Sequence, residues 1–451
     1  MFYTVDSQKF AKRIYESVTS LPIIDFHNHL NVEDIAKNRK YDNITQMWLS
    51  CDPYKHRIMR ILGVPEKLIT GDSDDEEKFR AFCSVFPDAV GTPVYDFALL
   101  ELKKIFSCDI IPSEETCDML WKLTNEYLSE NGVASILEKF NIEYSSPCAS
   151  ITDDLSLFGK NGLYPSLRAD NLILPQKNLI EQLEERTHTK ISSLAAYLGV
   201  LDRLISDFHA VGCLFADHAI DSDTPYISVG KTSTEDVEKL YVSQINGKLL
   251  SKTDKSVLSS YILFRLGEIY AKYKMVMQLH IGAERYTSDR LRKLTGPAGG
   301  YATIGNSTDT DSLTSIISDL ENGEYGLPRI ILYNLNPADN AKIATLSGSY
   351  CIDGVRGSVV AGAAWWWNDH RYGITEVLEN VMAYSALSVF PGMVTDSRSV
   401  ASFVRHDCFR RVLSEFLAEK SASGNLPKSE EALKSLARKM CYENAKSYII
   451  R

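Results

Sequence analysis

The chain contains no Cys-x-x-Cys pair, no internal repeat, no low-complexity linker and no surplus of positive charge. Each absence excludes something. Its nine cysteines are an odd number, scattered from position 51 to position 441. That argues against a disulfide framework or a cysteine-built zinc site, and points to a reduced, cytoplasmic protein. No uncharged apolar run reaches the roughly 18 residues of a membrane-spanning helix. The opening stretch "MFYTVDSQKFAKRIYESVTSLP" mixes charges and has no apolar core, so it does not read as a signal peptide. With a net charge of −10, the chain lacks the basic face of a nucleic-acid binder. None of this speaks against an anionic small substrate, because a few local arginines dominate the field inside a pocket.

What remains is ordinary globular material, 44% hydrophobic and 24% charged over 451 residues. The most informative stretch is "PIIDFHNHL", Pro22 to Leu30. Alternation along a strand places Ile23, Asp25, His27 and His29 on one face, and Ile24, Phe26 and Asn28 on the other. Two imidazoles on one face can share a metal ion, because Zn–N bonds are only about 2.0–2.1 Å long. Two hydrogen-bonded core histidines are the plainer alternative.

From about 31 to 140, apolar residues recur at spacings of three and four, as in "YKHRIMRILG" and "VYDFALLELKKIF". From about 141 onward, short apolar runs alternate with helical segments: "EYSSPCASI", "GLYPSLRAD", "AVGCLFADHAID", "VMQLHIGA", "RIILYNL", "RGSVVAGAAWWW" and "FPGMVTD". Together with "LPIIDFHNH" there are eight. The pattern predicts an α/β fold, a (β/α)8 TIM-type barrel with a mainly helical insertion after strand 1. Residues 1–30 would form an N-terminal helix and the first strand, 31–140 the insertion, and 141–451 the rest of the barrel with C-terminal helices.

In such barrels chemistry sits at the C-terminal ends of the strands. Every run here ends in ionisable or amide groups. In order these are His27 and His29; Thr152, Asp153 and Asp154; Arg168 and Asp170; Asp217 and His218; His280, with Arg285 after it; Asn334 and Asn336; Trp365, Trp366, Asn368 and Asp369; and Asp396 with Ser397 and Arg398. Packing alone does not explain that repetition. His27, His29 and Asp396 form a coherent metal set, two imidazoles and a carboxylate that leave positions open for water or substrate. His280 is a further ligand or a polar contact to the substrate.

The chain resembles the uronate (glucuronate) isomerases of the amidohydrolase superfamily. The likeness runs through "LPIIDFHNHL", "DNITQMWLSCDPYKHRIMRILGV", "PSLRAD", "GCLFADHAID", "QLHIGAERYTSDR", "LPRIILYNLNPADN", "AAWWWNDHRYG", "FPGMVTDSRS" and "RHDCFRR". It implies interconversion of aldo- and keto-hexuronates: D-glucuronate with D-fructuronate, and D-galacturonate with D-tagaturonate. A 1,2-proton shift through an enediol needs a base at C2, an acid at O1 and stabilisation of the oxyanion. On the resemblance, Asp396 transfers the proton and Tyr54 hydrogen-bonds the reacting oxygens. Arg168, His280, Trp366 and Arg398 bind the substrate, the arginines because their planar fork suits a carboxylate. His27, His29 and Asp396 hold a divalent metal, with zinc the ion expected, and the enzyme is expected to be a homo-oligomer.

One departure stands out. Where family members usually read D-H-Y-K-W-R, this chain reads "DPYKHR", so Pro53 replaces a histidine and His56 a tryptophan. Proline transfers no proton through its side chain. Two alternatives follow: a metal-dependent hydrolase of the same superfamily, or a uronate-binding homologue weakened by Pro53.

Overall fold

The computed structural model describes residues 5–220 and 225–450. Asp221, the last residue of the fourth apolar run, lies outside them. Seven parallel strands curl in chain order: β1 (Ile23–Asn28), β2 (Ile142–Ser150), β3 (Ser166–Arg168), β4 (Phe215–Ile220), β5 (Val276–Ile281), β6 (Ile330–Asn334) and β7 (Val359–Ala361). Helices run between most of them, and a loop with one 3-10 turn, Leu155–Leu157, joins β2 to β3. The chain has the TIM-type barrel architecture.

The eighth run is not a regular strand. Pro391 offers no N–H, and Gly392 turns the backbone at φ +91°. The segment still adds to the ring at β1: Asp396 N–H donates to the His27 carbonyl (3.1 Å), and His29 N–H to that of Ser397 (2.8 Å). That ladder is too short to count as a strand, yet it brings Asp396 beside the two histidines.

The predicted shared face of β1 also needs correction. Between Asp25 and Asn28 the strand advances three residues while β2 advances two, from Ser145 to Pro147. This β-bulge breaks the alternation. Asp25 consequently leaves the histidine face. Its carboxylate accepts from Thr395 N–H (2.8 Å), Thr395 Oγ1 (2.7 Å) and Asn28 Nδ2 (3.0 Å). Phe26 instead stacks on Phe215 with ring centroids 5.2 Å apart, inside the barrel.

Three cores hold the molecule together. The outer one packs helices on the sheet, with Leu167, Ala216, Met277, Leu332 and Val359 among its members. A second fills the barrel interior with Phe26, Tyr144, Phe215, Ile331 and Tyr333, and receives Tyr448 from the helix Asn444–Ile449. The third belongs to the region between β1 and β2, whose elements are all helical. It includes Val400, Ala401, Phe403 and Val404, so this region packs directly behind Asp396.

Inside that third core lies a buried ion cluster. Lys55 Nζ is 2.8 Å from Asp52 Oδ2 and 3.0 Å from Glu101 Oε2, with all three side chains almost fully buried. Trp48 Nε1 also donates to Glu101. Asp52 caps the helix Pro53–Ile61, accepting from Tyr54 N–H (2.9 Å) and Lys55 N–H (3.3 Å). The cluster therefore fixes the start of the helix that carries Tyr54.

Candidate active site

β1, β3 and β5, together with the eighth segment, deliver polar side chains to one end of the barrel. His27 Nε2 and His29 Nε2 lie 3.2 and 3.0 Å from the same oxygen, Asp396 Oδ1. Asp396 Oδ2 accepts from Trp365 Nε1 at 2.9 Å. His280 stacks on Tyr333 (centroids 4.7 Å apart) and meets His27 at a tilt (4.4 Å), and its buried Nε2 has no hydrogen-bond partner among the described residues. His27, His29, His280, Trp365 and Asp396 line a deep cavity of about 80 Å³ that also touches Pro53, Tyr54, Arg168, Trp366 and Arg398. The cavity shares His29, Arg168, Arg285, Trp366 and Arg398 with an outer chamber of about 630 Å³. That larger volume falls in the range of small-molecule pockets.

The electrostatics follow from burial and charge. Burial alone would raise the Asp396 carboxyl, but hydrogen bonds and charge from His27 and His29 hold it well below the usual range. Burial works against a charge on His27 and is outweighed by Cys148, Asp396 and Asp217, which raise it well above its ordinary value. His29 is lowered to about 3 by burial, with help from Arg398 and Arg168. Burial and the neighbouring His27 charge push His280 far down.

The donor set fits a divalent metal. Donors at about 2.0–2.2 Å from a tetrahedral ion lie roughly 3.3 Å from one another, close to the two distances seen. Cys148 is a competing third donor. Its Sγ is 3.8 Å from His27 Nδ1 and 3.4 Å from Asp217 Oδ1, and with His27 and His29 it forms a group whose donor atoms lie within 4.8 Å of one another. Both Nε2 atoms nonetheless face Asp396 Oδ1, at 3.2 and 3.0 Å, so the carboxylate is a second candidate for the third donor. Cys148 faces the Nδ1 edge of His27, opposite the Nε2 that faces Asp396.

The residues given roles on the resemblance, namely Tyr54, Arg168, His280, Trp366, Arg398, His27, His29 and Asp396, come together here. Arg168 is ion-paired with Asp170 at 2.8 Å and lies 3.7 Å from Asp217, leaving its fork partly engaged. The tryptophans that end the seventh run lie beyond its strand. β7 ends at Ala361, and Trp366–Asn368 form a single 3-10 turn with Trp366 at φ +54°. Trp366 still lines the site, but Trp365 makes the direct bond to Asp396 and had no distinguishing sequence signal. Several strand-end groups are local caps instead. Arg186 binds the carbonyls of Thr152 and Asp153, Asn334 bonds Asn340 and the Asn336 carbonyl, and His218 Nε2 meets Tyr270 Oη at 3.0 Å.

Pro53 occupies the first turn of its helix, where its missing N–H costs nothing. His56 faces away from the cavity, its Nε2 2.7 Å from the Leu49 carbonyl, so it does not replace the absent histidine. The loop after β5 completes the rim. It is pinned by the short pairing of Ala283–Glu284 with Thr303–Ile304, and by Arg57 and Arg60 donating to the carbonyls of Ala302 and Gly299. Gly300 sits at φ +78° against the Pro53 carbonyl, where a Cβ would come to 2.4 Å.

The glucuronate isomerase family model matches residues 2–449. The chain belongs to that family. A uronate isomerase from Caldicellulosiruptor saccharolyticus is 37% identical over 97% of this chain and 96% of its own length. One from Caldanaerobacter subterraneus subsp. tengcongensis is 35% identical over 99% and 98%. Among solved structures, the uronate isomerase of Thermotoga maritima superposes with a TM-score of 0.91 at 27% identity, covering both chains fully. This family member thus shares its architecture along its whole length.

Proposed function

We propose that this protein is a hexuronate aldose–ketose isomerase, acting on D-glucuronate and D-galacturonate through an enediol. The convergence of His27, His29 and Asp396 beneath a cavity rimmed by Arg168 and Arg398 carries the reading. Asp396 is the proton-transfer group at C2. Tyr54 donates to the reacting oxygens, and His280 holds a carbonyl or hydroxyl oxygen. Arg168 and Arg398 orient the substrate, with the C6 carboxylate as their target, and Trp366 walls the ring. A divalent ion held by His27, His29 and Asp396, with zinc proposed, would supply electrostatic polarisation of the substrate carbonyl. We place the enzyme in the cytoplasm as a homo-oligomer. The cytoplasmic placement is supported by nine cysteines that are all free.

Proton NMR of glucuronate and galacturonate in D2O tests the reaction. Loss of the C2 proton with growth of ketose signals is expected, and hydrolysis of a lactone panel without C2 exchange would favour the hydrolase instead. The metal is tested by elemental analysis. His27→Ala and His29→Ala should each lower bound zinc, and full occupancy in the double variant would overturn the ligand assignment.

Pro53 bears on rate. The position lines the deep cavity beside Tyr54, and loss of one acid–base helper costs about 10²–10⁴-fold. Wild type should therefore turn over slowly, and Pro53→His should raise kcat by at least about 10-fold if the helper is restored. No C2 exchange in either protein, with any hexuronate, would sink the isomerase reading.

A further inference from the structure

Two arginines on the helix Val404–Ala422 are buried, and they differ in what they touch. Among the described residues Arg410 donates only to main-chain carbonyls, those of Thr19 (3.0 Å), Leu21 (2.8 Å) and Pro22 (3.2 Å), which tie the approach to β1. Arg405 is aimed at the site. Its Nη1 donates to the Thr395 carbonyl at 3.1 Å, one residue before Asp396, and lies 3.4 Å from Asp369 Oδ2. Its guanidinium carbon stands 4.2 Å from the centre of the Tyr54 ring. Arg405 lines neither cavity.

A single rigid cation thus touches three segments: the helix start bearing Tyr54, the extended segment bearing Asp396, and the turn after β7 that holds Trp366. Stability is a poor reason to bury it. Desolvating a guanidinium costs several kcal/mol, and an apolar side chain of similar volume often serves as well. Its one carboxylate partner, Asp369, keeps Oδ1 without a hydrogen-bond partner among the described residues.

We propose that Arg405 is a positioning residue that sets Tyr54 and Asp396 relative to one another, with Asp369 as its counter-ion. This rests on the isomerase reading for the roles of those two groups. A cation on the ring face also favours the electron-rich phenol it leans on. Consistent with that contact, the Arg405 charge opposes the upward push of burial on the Tyr54 phenol.

The test compares Arg405→Met, Arg405→Lys, Asp369→Asn and the control Arg410→Met in the full-length protein. The readouts are kcat, KM, thermal midpoint and a double-mutant cycle with Tyr54→Phe. Misplacement by an ångström costs about 10²-fold in rate. Arg405→Met should therefore lower kcat by that order with KM little changed, and Arg405→Lys should recover part of it. In the Tyr54→Phe background Arg405→Met should add little further loss. Multiplying losses in that background would overturn the proposal. So would an equal fall in kcat for an Arg410→Met protein of matched thermal midpoint.

If Arg405→Met does not fold, Arg405→Lys and Asp369→Asn carry the same comparison. A second readout is independent of turnover. In fluorotyrosine-labelled protein, the 19F signal absent from Tyr54→Phe should shift in Arg405→Lys and stay unmoved in Arg410→Met. An inactive wild type would end the isomerase reading, while the 19F shift alone would still decide whether Arg405 places Tyr54. An unmoved signal would reject that.

Discussion

Asp396→Asn should abolish turnover and leave the fold in place. The backbone reason for the second half is specific. Asp396 sits at φ +47°, in the left-handed region where Asn is tolerated as readily as Asp. The amide has nearly the same shape, and its oxygen can still accept from Trp365 Nε1 or from one histidine. What it loses is the negative charge that His27 and His29 both face at about hydrogen-bonding distance, and with it the ability to take a proton.

A carboxylate so well stabilised is a weak base in isolation. On the proposed reading it would become effective once substrate binding loosens its hold on the histidines, and a divalent ion held by these residues would supply polarisation of the carbonyl that acidifies the C2 proton. Losing the base should cost at least about 10²–10⁴-fold in kcat. Deuterium exchange at C2 is the direct measurement, with circular dichroism and zinc content followed alongside. Near wild-type exchange in Asp396→Asn would show that another group carries the proton. Exchange that persists in a protein stripped of divalent metal would separate the metal from the chemistry.

The second large effect concerns stability. Lys55→Met should destabilise the protein by about 3–5 kcal/mol, the usual cost of removing one partner from a buried ion pair. The loss leaves Asp52 and Glu101 buried without their cation, in a core lined by Trp48, Phe79 and Phe82. It also loosens Asp52 as the cap of the helix that presents Tyr54, so kcat should fall together with stability. Chemical denaturation gives the first number and C2 exchange the second. A combined Asp52→Asn, Lys55→Met, Glu101→Leu protein should regain part of the stability, because it removes the orphaned charges. Stability unchanged in Lys55→Met would mean that water reaches the cluster and screens it.

The sequence by itself determined the barrel, the family and which side chains gather at one end of it. The reason is that strand runs with polar C-terminal ends record burial directly, residue by residue, and the His-x-His at positions 27 and 29 survives any detail of register. What only the tertiary structure decided depends on contacts between distant segments. The bulge in β1 sends Asp25 to Thr395 and is invisible without the pairing to β2. The eighth run pairs too briefly with β1 to form a regular strand, although its composition matched the other seven. Trp365 rather than its neighbour bonds Asp396, because the chain turns after Ala361 instead of staying extended. His56, one helical turn from Pro53, faces the Leu49 carbonyl and not the cavity. Arg405 could be read as one of several basic residues in "RHDCFRR" until packing set its guanidinium against Tyr54. Local pattern states which groups a chain will bury, whereas only the folded arrangement assigns their partners.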